Sequence, residues 1–334
     1  MKILLGLSGG VDSAAAALLL QKTGYEVTGC YLLMSGCDGK NDAEKLAERL
    51  GINFIVRDCR ESFKKNVENY FISSYMQGIT PSPCVICNPL VKIKELAAAA
   101  DENGIEKIAT GHYAVTTEDG ALLASPSKKD QSYFLYRVPQ KFLSRCLMPL
   151  GAFKSKDEIR SIAAAAELEV AAKKDSQDIC FLPDGDYREF IKERVAVPCA
   201  PGDFLNTNGV KIGRHGGIMN YTVGQRKGLG AFGEPMYVSA INPSENTVTL
   251  CRSEERFKSE IKVKNAVFSV KYGGEREFEA AVKIRSAAKA APAKISVCGD
   301  CFTAAFAFPV SAPCPGQHAV IYCGDTVLGG GEIE

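Results

Sequence analysis

Apolar positions in the first third of the chain recur with two different spacings. Short apolar runs over residues 2–7, 25–33 and 53–56 predict buried strands, whereas residues 14–22 and 41–50 have the spacing and composition of helices. Strands that alternate with helices in this way form parallel sheets covered by helices on both faces. The pattern therefore predicts an α/β fold with a doubly wound, Rossmann-like parallel sheet, in which ligands bind at the carboxyl ends of the strands.

Helical spacing returns over residues 61–76 and is followed by a proline-rich segment, residues 80–89. Proline lacks a backbone N–H and restricts the residue before it, so this segment is predicted to be an extended loop. Asn88, with a proline directly after it, then makes a natural start for a helix over residues 90–102. On this interpretation Cys87 lies just before a helix N-terminus, whose partial positive charge favours a thiolate over a thiol.

Turn and capping signals continue the α/β pattern. A strand over residues 107–110 is followed by a hairpin turn at Asp119-Gly120. Ser155 and Glu158 have the spacing of a capping box at the start of a further helix. These elements extend the first domain well beyond its opening strands.

The predicted secondary structure changes after residue 198 from alternating helices and strands to short β-prone runs separated by Gly, Asn and Pro turns. We therefore expect an α/β domain over residues 1–195, a small central domain over residues 196–255 and a C-terminal β-barrel over residues 256–334. Within the barrel, Cys298-Gly-Asp-Cys301 lies between two β-prone runs, which predicts a hairpin turn there.

Composition limits the possible partners. The 334 residues are 46% hydrophobic and carry a formal net charge of +1, so any contact with nucleic acid must use local basic patches. The N-terminus does not have the pattern of a signal peptide, and no apolar run reaches membrane-spanning length, so we expect a cytoplasmic protein without membrane contact. Thirteen cysteines in such a chain point to thiol or metal chemistry at some positions and to buried packing at others.

The stretch between the first strand and the first helix reads Gly-Leu-Ser-Gly-Gly-Val-Asp-Ser, residues 6–13. Glycines allow a sharp turn, and the free N–H groups of the helix start can bind phosphate oxygens. It has no Walker A lysine and no dinucleotide fingerprint, and the Gly6-x-Ser8-x-Gly10 match to a hydrolase nucleophile elbow comes too early in the sheet. An ordinary turn capped by Asp12 and Ser13 stays possible, but the run resembles the PP-loop of ATP pyrophosphatases.

The positions of cysteines and histidines indicate which of these residues belong to the predicted active site. Two Cys-x-x-Cys pairs, one ending at Cys87 and one at Cys301, are too far apart for a zinc ribbon. Of the three histidines, His112 follows a predicted strand of the parallel sheet, whereas His215 and His318 lie in the β regions and are expected to be packing residues. His112 is therefore the histidine placed for active-site work.

Taken in order, the motifs resemble those of the MnmA/TrmU family of tRNA-specific 2-thiouridylases nearly from end to end. The resemblance is carried by Ser8-Gly-Gly-Val-Asp-Ser13, Thr80-Pro-Ser-Pro83 with Cys87-Asn88, Thr110-Gly-His-Tyr113, Lys129-Asp-Gln-Ser-Tyr-Phe-Leu-Tyr136, Lys173-Lys-Asp-Ser176 with Ile179-Cys-Phe181, Gly224-Gln-Arg-Lys-Gly-Leu-Gly230 and Leu328-Gly-Gly-Gly331.

The resemblance implies ATP-dependent sulfur transfer to C2 of the wobble uridine of tRNA, with adenylation turning the C2 oxygen into a good leaving group. The resemblance implies that Asp12 is among the catalytic residues and that Cys180 carries a persulfide. Cys87 would release the sulfur carried on Cys180 by forming a disulfide with Cys180. The sulfur would come from a cysteine desulfurase, a relay protein or free sulfide. ATP and Mg²⁺ would be held by Gly6, Leu7, Ser8, Gly9, Gly10, Val11, Asp12, Ser13, Leu32 and Gly111.

The same resemblance implies contacts with tRNA in all three predicted domains. His112 and Gln317 match positions tied to discrimination between tRNAs. The expected tRNA-binding residues are Lys129, Asp130, Gln131, Arg226, Lys227, Arg285 and Ser286.

The chain departs from the family pattern at three places. Many members have Asp, cast as an activator of the neighbouring cysteine, where this chain has Cys84. Cys84, Cys87 and Cys180 could therefore ligate a [4Fe-4S] cluster that accepts sulfide directly, as an alternative to the persulfide relay. In addition, residues 34–42 are shorter than the usual insertion, and Ser286 replaces a frequent Tyr.

Two other functions would use part of the same sequence. Another PP-loop enzyme, a synthetase that adenylates a small molecule, would explain residues 6–13 but neither the cysteines nor the barrel. A noncatalytic protein that binds RNA and holds ATP as a structural ligand would not need Cys87 or Cys180. Substitution of these two cysteines distinguishes the two functions: it abolishes thiouridine formation in the enzyme and changes nothing in a protein that only binds RNA.

Overall fold

The computed structural model describes residues 1–35, 39–172, 179–182, 186–195 and 200–334. In this part of the chain, three β-sheets follow one another along the sequence: a five-stranded sheet, a four-stranded sheet, and an eight-stranded sheet that contains a closed barrel. None of the described helices is long and apolar enough to cross a membrane.

The first sheet is entirely parallel and doubly wound, as predicted. Successive residues of its central strand point to opposite faces, so Ile3 and Leu5 pack under one layer of helices and Leu4 under the other. The strand order reverses beside this central strand, and such switch points are where α/β sheets bind ligands. In spatial order the strands are Asn53–Asp58, Glu26–Leu33, Lys2–Gly6, Lys107–Ala109 and Cys146–Leu147.

Helices on the first face meet Ile3 and Leu5 with small and branched side chains. These helices are Val11–Lys22, Lys40–Leu50 and Lys156–Ala165. The last of them starts with the predicted capping box, in which Ser155 and Glu158 satisfy each other's backbone N–H groups. The short helices Gln140–Leu143 and Tyr187–Lys192 complete the domain, with 3-10 turns at Ser132–Phe134 and Glu169–Ala172.

Two longer helical segments each contain a π turn. One runs through Arg60–Phe63, Lys64–Glu68 and Asn69–Met76, where a helix was predicted. The other, which we call the cysteine helix, runs through Pro83–Cys87, Asn88–Lys92 and Ile93–Glu102. It packs against the second face of the sheet.

The cysteine helix corrects the prediction for the proline-rich segment. The helix begins at Pro83, a first-turn position where the missing N–H is not needed, rather than after Asn88. Pro89 lies inside it, and the chain accommodates this proline with a π turn in which Ile93 N–H bonds to Asn88 O. Asn88 is not a cap: it is buried and its side-chain amide donates to Phe134 O at 3.0 Å. Cys87 therefore lies within a helix and not before one.

The remaining sheets confirm the central domain and the barrel. The central sheet is ordered Tyr237–Asn242, Thr247–Cys251, Gly202–Leu205 and Lys211–His215, with 3-10 turns at Ile218–Asn220 and Glu254–Arg256. The barrel is ordered Phe257–Phe268, Cys301–Ser311, Ala291–Cys298, Glu277–Lys283, His318–Cys323 and Thr326–Ile333, and its first and last strands pair to close it. The predicted hairpin Ala114–Thr116 with Leu122–Ala124 extends this third sheet from the first domain.

A short extended segment before the cysteine helix touches both other domains. Thr80 N–H donates to Pro315 O at 3.0 Å in the barrel, and the Thr80 hydroxyl donates to that of Thr222 at 3.3 Å in the central domain. Gln317 of the barrel donates its side-chain amide to Thr80 O and Pro81 O, each at 3.2 Å. The three domains therefore meet at the start of the cysteine helix and fix its position.

Candidate active site

The PP-loop closes on itself through short hydrogen bonds. Ser13 Oγ accepts from Ser8 N at 3.3 Å and donates to Gly10 O at 2.9 Å. Gly9 has a φ of 73°, a conformation that favours glycine, and a Cβ there would lie 2.8 Å from Ala43 N. The loop thus requires glycine at this position both for its backbone and for its close approach to the next helix.

A pocket of about 540 Å³ opens at the carboxyl edge of the parallel sheet, where the PP-loop meets Gly111 and the cysteine helix. A larger groove of about 730 Å³ lies between the helix Lys40–Leu50 and residues 167–170, but none of the predicted site residues lines it. We therefore take the smaller pocket as the candidate site. Among the predicted residues it brings together Gly6, Leu7, Ser8, Asp12, Ser13, Leu32, Gly111, His112, Gln131 and Cys180.

Asp12 is held by two residues from distant parts of the chain. Tyr113 donates its hydroxyl to Asp12 Oδ1 at 2.7 Å, and Lys156 donates to Oδ2 at 2.9 Å. A Cβ at Gly111 would lie 3.1 Å from the Asp12 carbonyl carbon, so the Thr110-Gly-His-Tyr113 segment lies directly against the PP-loop. Sequence reasoning missed Tyr113 and Lys156 as partners, because no local signal connects residues so far apart in the chain.

His112 is half-buried in the pocket as a neutral imidazole. Its Nδ1 lies 2.8 Å from the Thr110 hydroxyl, which fixes the ring orientation. Burial lowers the pKa of His112 to about 3, and the nearby Lys92 ammonium contributes to the decrease. The ring is therefore uncharged at physiological pH and can take part as a hydrogen-bonding group.

The thiols of the cysteine helix are protonated in this environment. Burial raises the pKa of Cys87 to about 12, with Lys92 acting in the opposite direction, and burial also raises the pKa of Cys84. The predicted thiolate at Cys87 is thus wrong for the protein without substrate, because this residue is 4% exposed and lies inside a helix. A thiolate there needs a nearby positive charge to offset its burial.

Lys92 is half-buried and lines the same pocket. Burial lowers the pKa of Lys92, whereas the sulfurs of Cys87, Cys180 and Cys84 raise it, and the net effect is an increase. The Lys92 ammonium therefore interacts electrostatically with all three cysteines considered for the sulfur chemistry.

Cys180 is exposed and is anchored by the phenylalanine that follows it. The Phe181 ring packs at 5.4 Å from Phe63, 5.3 Å from Phe71 and 5.2 Å from Phe190, measured between ring centroids. The same buried cluster contains Cys87. This packing brings Cys180 to the cysteine helix, while residues 173–178 of the motif before it lie outside the described part of the chain.

The cysteines that the structure describes do not form a ready site for a single metal ion. Across the residues that the structure describes, no group of three or more His, Cys, Asp or Glu side chains is arranged to hold a metal ion. Cys87 is buried, Cys84 is half-buried and Cys180 is exposed. The lack of such a group among the described residues concerns a single ion, whereas the ligands of a [4Fe-4S] cluster bind different irons, so the cluster stays a prediction.

Of the predicted tRNA-binding residues in the first domain, Gln131 lies in the pocket and Lys129 is exposed. Gln131 Oε1 accepts from Tyr113 N at 2.9 Å. Asp130 instead forms an ion pair with Lys283 of the barrel at 3.2 Å and accepts from Ser125 N at 3.0 Å. Asp130 thus joins two domains in this conformation.

The other predicted tRNA-binding residues lie outside the pocket. Arg226 and Lys227 are exposed on a turn, and Ser286 is exposed on the barrel. Arg285 is half-buried and donates to Ala312 O at 3.1 Å. Gln317 contacts the chain just before the cysteine helix, as described above.

Comparisons with known proteins agree with this arrangement. Family models match residues 1–184 as a tRNA methyl transferase HUP domain, residues 188–252 as a tRNA methyl transferase PRC-barrel domain and residues 258–333 as an aminomethyltransferase beta-barrel domain. Three relatives are each named tRNA-specific 2-thiouridylase MnmA. The Treponema denticola protein is 43% identical over 360 residues, which cover 100% of this chain and 98% of the relative.

The other two relatives match over similar lengths. The Clostridioides difficile protein is 40% identical, with 100% of this chain and 98% of the relative covered. The Acetivibrio thermocellus protein is 41% identical, with 100% and 99% covered. Similarity at this level, over the whole length of both partners, shows the family. The chain belongs to the tRNA-specific 2-thiouridylases.

Proposed function

We propose that this chain uses ATP to adenylate C2–O of the wobble uridine of tRNA and then transfers sulfur to C2, which gives 2-thiouridine. The observation that carries the proposal is that one pocket contains both the PP-loop and Cys180, with Cys84 and Cys87 on the adjoining helix. A nucleotide site and a group of thiols in one pocket match a reaction that activates a carbonyl and then displaces the activated oxygen with sulfur.

In the first step, the uridine O2 would attack the α-phosphorus of ATP, and pyrophosphate would leave. The PP-loop amides and the helix starting at Val11 would hold the phosphates. Asp12 is the acidic residue among those that line the described pocket, so we assign the accompanying Mg²⁺ to it. The ion would neutralise charge on the departing pyrophosphate.

In the second step, the terminal sulfur of a Cys180 persulfide would attack C2, and AMP would leave with the former O2. The Cys87 thiolate would then attack Cys180 Sγ and break the S–S bond to the substrate sulfur. The bond pair would go to the sulfur on C2, and two cysteine sulfurs would be oxidised to a Cys87–Cys180 disulfide. An external thiol reductant must reduce this disulfide, and a sulfur donor must reload Cys180, before the next turnover.

The iron–sulfur alternative would use Cys84, Cys87 and Cys180 as ligands. Since the cluster stays a prediction, we derive no step through it. Metal analysis of protein purified without oxygen tests the alternative directly. If the protein contains about four irons per chain and Cys84→Ala loses them, the mechanism uses a cluster that accepts sulfide and not a Cys180 persulfide.

The tRNA would contact exposed groups outside the pocket as well as Gln131 and His112 within it. Arg226 and Lys227 supply an exposed basic turn in the central domain, and Lys129 supplies a charge near the pocket. Because phosphate contacts release counterions, the affinity for tRNA should fall as salt rises. We place the reaction in the cytoplasm, where a cysteine desulfurase, a relay protein or free sulfide would provide the sulfur.

The proposal is tested by supplying purified protein with a tRNA transcript, ATP, Mg²⁺, a thiol reductant and a sulfur source, followed by nucleoside mass spectrometry. We expect 2-thiouridine from the parent protein and from Cys298→Ala. Cys87→Ala and Cys180→Ala should bind tRNA but form none. Thiolation by both variants would overturn the proposal, and unchanged phenotypes would favour a noncatalytic RNA-binding protein. Adenylation of a small molecule without tRNA would favour another PP-loop synthetase.

A further inference from the structure

Lys92 is a half-buried cation with an unusual set of neighbours. The groups that act electrostatically on its ammonium are the sulfurs of Cys87, Cys180 and Cys84. In the described part of the chain, no carboxylate lies at ion-pair distance from it. A partly desolvated ammonium without a carboxylate partner is costly, so its placement calls for an anion that arrives during function.

The π turn explains how Lys92 comes to face the cysteines. In an α-helix, residues five apart point roughly 140° away from each other, since each residue adds about 100°. Residues Asn88–Lys92 form a π turn instead, which closes over five residues and brings positions 87 and 92 towards one face. Pro89 has no backbone N–H to donate in a regular helix. It is part of the π turn that orients Lys92 towards the face that carries Cys87.

We propose that Lys92 is the counter-ion of the sulfur anions in the second half of the reaction. Its ammonium stabilises the terminal sulfur of the Cys180 persulfide and the Cys87 thiolate that releases the sulfur to uridine. This role rests on the proposed function and adds a catalytic residue to it. Lys92 gives up no proton in this role: it supplies fixed positive charge where negative charge gathers on sulfur.

The pocket also offers Lys92 a competing partner, because PP-loop residues such as Ser8 and Ser13 line it too. A lysine that binds the ATP phosphates would act in the adenylation step. A lysine that pairs with sulfur would act only afterwards. The two half-reactions can be measured separately, as tRNA-dependent pyrophosphate release and as 2-thiouridine formation.

The test compares Lys92→Met with Lys92→Arg and with Lys94→Met in both assays. Lys94 is exposed on the same helix, so Lys94→Met makes the same charge change away from the pocket. We expect Lys92→Met to lower thiouridine formation at least ~100-fold while pyrophosphate release stays within about threefold. Lys92→Arg, which keeps the charge, should recover most of the lost rate, and Lys94→Met should behave as the parent protein.

Three results would overturn the inference. A parallel loss of pyrophosphate release in Lys92→Met would assign Lys92 to ATP. Normal thiouridine formation by Lys92→Met would show that Lys92 has no role in sulfur transfer. Loss of folding in both Lys92→Met and Lys92→Gln, seen as a lower melting temperature, would make Lys92 structural. If the parent protein forms no thiouridine in the same assay, the proposed function itself is wrong. The three results above concern Lys92 alone, because each requires an active parent protein.

Discussion

Two Cys-x-x-Cys segments of this chain have the same spacing and opposite environments. Cys84 and Cys87 lie three positions apart on a helix beside the PP-loop, and both interact electrostatically with the ammonium of Lys92. Cys298 and Cys301 face each other across a tight hairpin turn of the barrel, where Gly299 has a φ of 61°. The first pair adjoins a pocket, whereas the second closes a hairpin.

Electrostatics separates the two pairs further. Burial raises the pKa of Cys87, but the Lys92 cation works against that increase. Partial burial raises the pKa of Cys301 too, and there the neighbouring Asp300 carboxylate adds to the increase. A thiolate therefore has a supporting charge in one place and an opposing charge in the other. The spacing of cysteines alone does not predict reactivity, which depends on the charges around them.

The largest expected difference between the pairs is catalytic. Cys87→Ser should lower thiouridine formation on the order of 10⁴-fold, because loss of a nucleophile removes a covalent step. Cys301→Ser should stay within about twofold of the parent protein, since its side chain only lines a hairpin. Nucleoside mass spectrometry of reacted tRNA measures both. Equal losses in the two variants would contradict the comparison.

A matched pair of aromatic residues tests how the cysteines are held. Phe181 follows Cys180 and Phe302 follows Cys301, and both rings are buried. Phe→Ala in a core costs about 3 kcal/mol or more, so both variants should unfold at lower denaturant concentration. Only Phe181→Ala should slow sulfur transfer beyond its effect on stability, with pyrophosphate release retained. If Phe302→Ala slows transfer as much in folded protein, the anchoring role of Phe181 is wrong.

Glycine substitutions compare the two turns. Gly9→Ala forces a left-handed backbone and brings a Cβ to 2.8 Å from Ala43 N, so we expect a loss of about 2 kcal/mol in stability and weaker ATP binding. Gly299→Ala has a similar backbone but no atom within 4 Å of the new Cβ, so about 1 kcal/mol is expected. Urea unfolding and calorimetric ATP titration measure both effects. A larger cost at Gly299 would contradict this interpretation.

The smallest effect is a difference in alkylation. Exposed Cys298 should react with iodoacetamide faster than buried Cys87 at neutral pH. Because the pKa of Cys87 is raised to about 12, its thiolate fraction should still increase about tenfold per pH unit between pH 7 and 10. Site-resolved mass spectrometry follows both rates. A plateau in the Cys87 rate near pH 8 would show that its pKa is not raised.

Local signals were enough to predict some features. The Ser155 capping box and the hairpin between Cys298 and Cys301 depend on residues close in sequence, and both formed as expected. The alternation of strands and helices likewise gave the doubly wound sheet, since buried strands and amphipathic helices have distinct periods.

Nonlocal features could not be predicted in the same way. Pro89 pointed to a helix start, but a π turn allowed the helix to continue through it. The pKa of Cys87 depends on burial among side chains from distant segments, which a helix-dipole argument does not include. The partners of Asp12 are separated from it by 101 and 144 positions, so only the fold reveals them.

Sulfur transfer from Cys180 to uridine is tested most directly by a single turnover of protein whose Cys180 carries a persulfide, without further sulfur donor or reductant. We expect about one 2-thiouridine per persulfide and an equal amount of Cys87–Cys180 disulfide, identified by peptide mass spectrometry. Thiouridine formed while Cys87 stays a free thiol, or formed by Cys180→Ser protein given sulfide, would contradict this expectation.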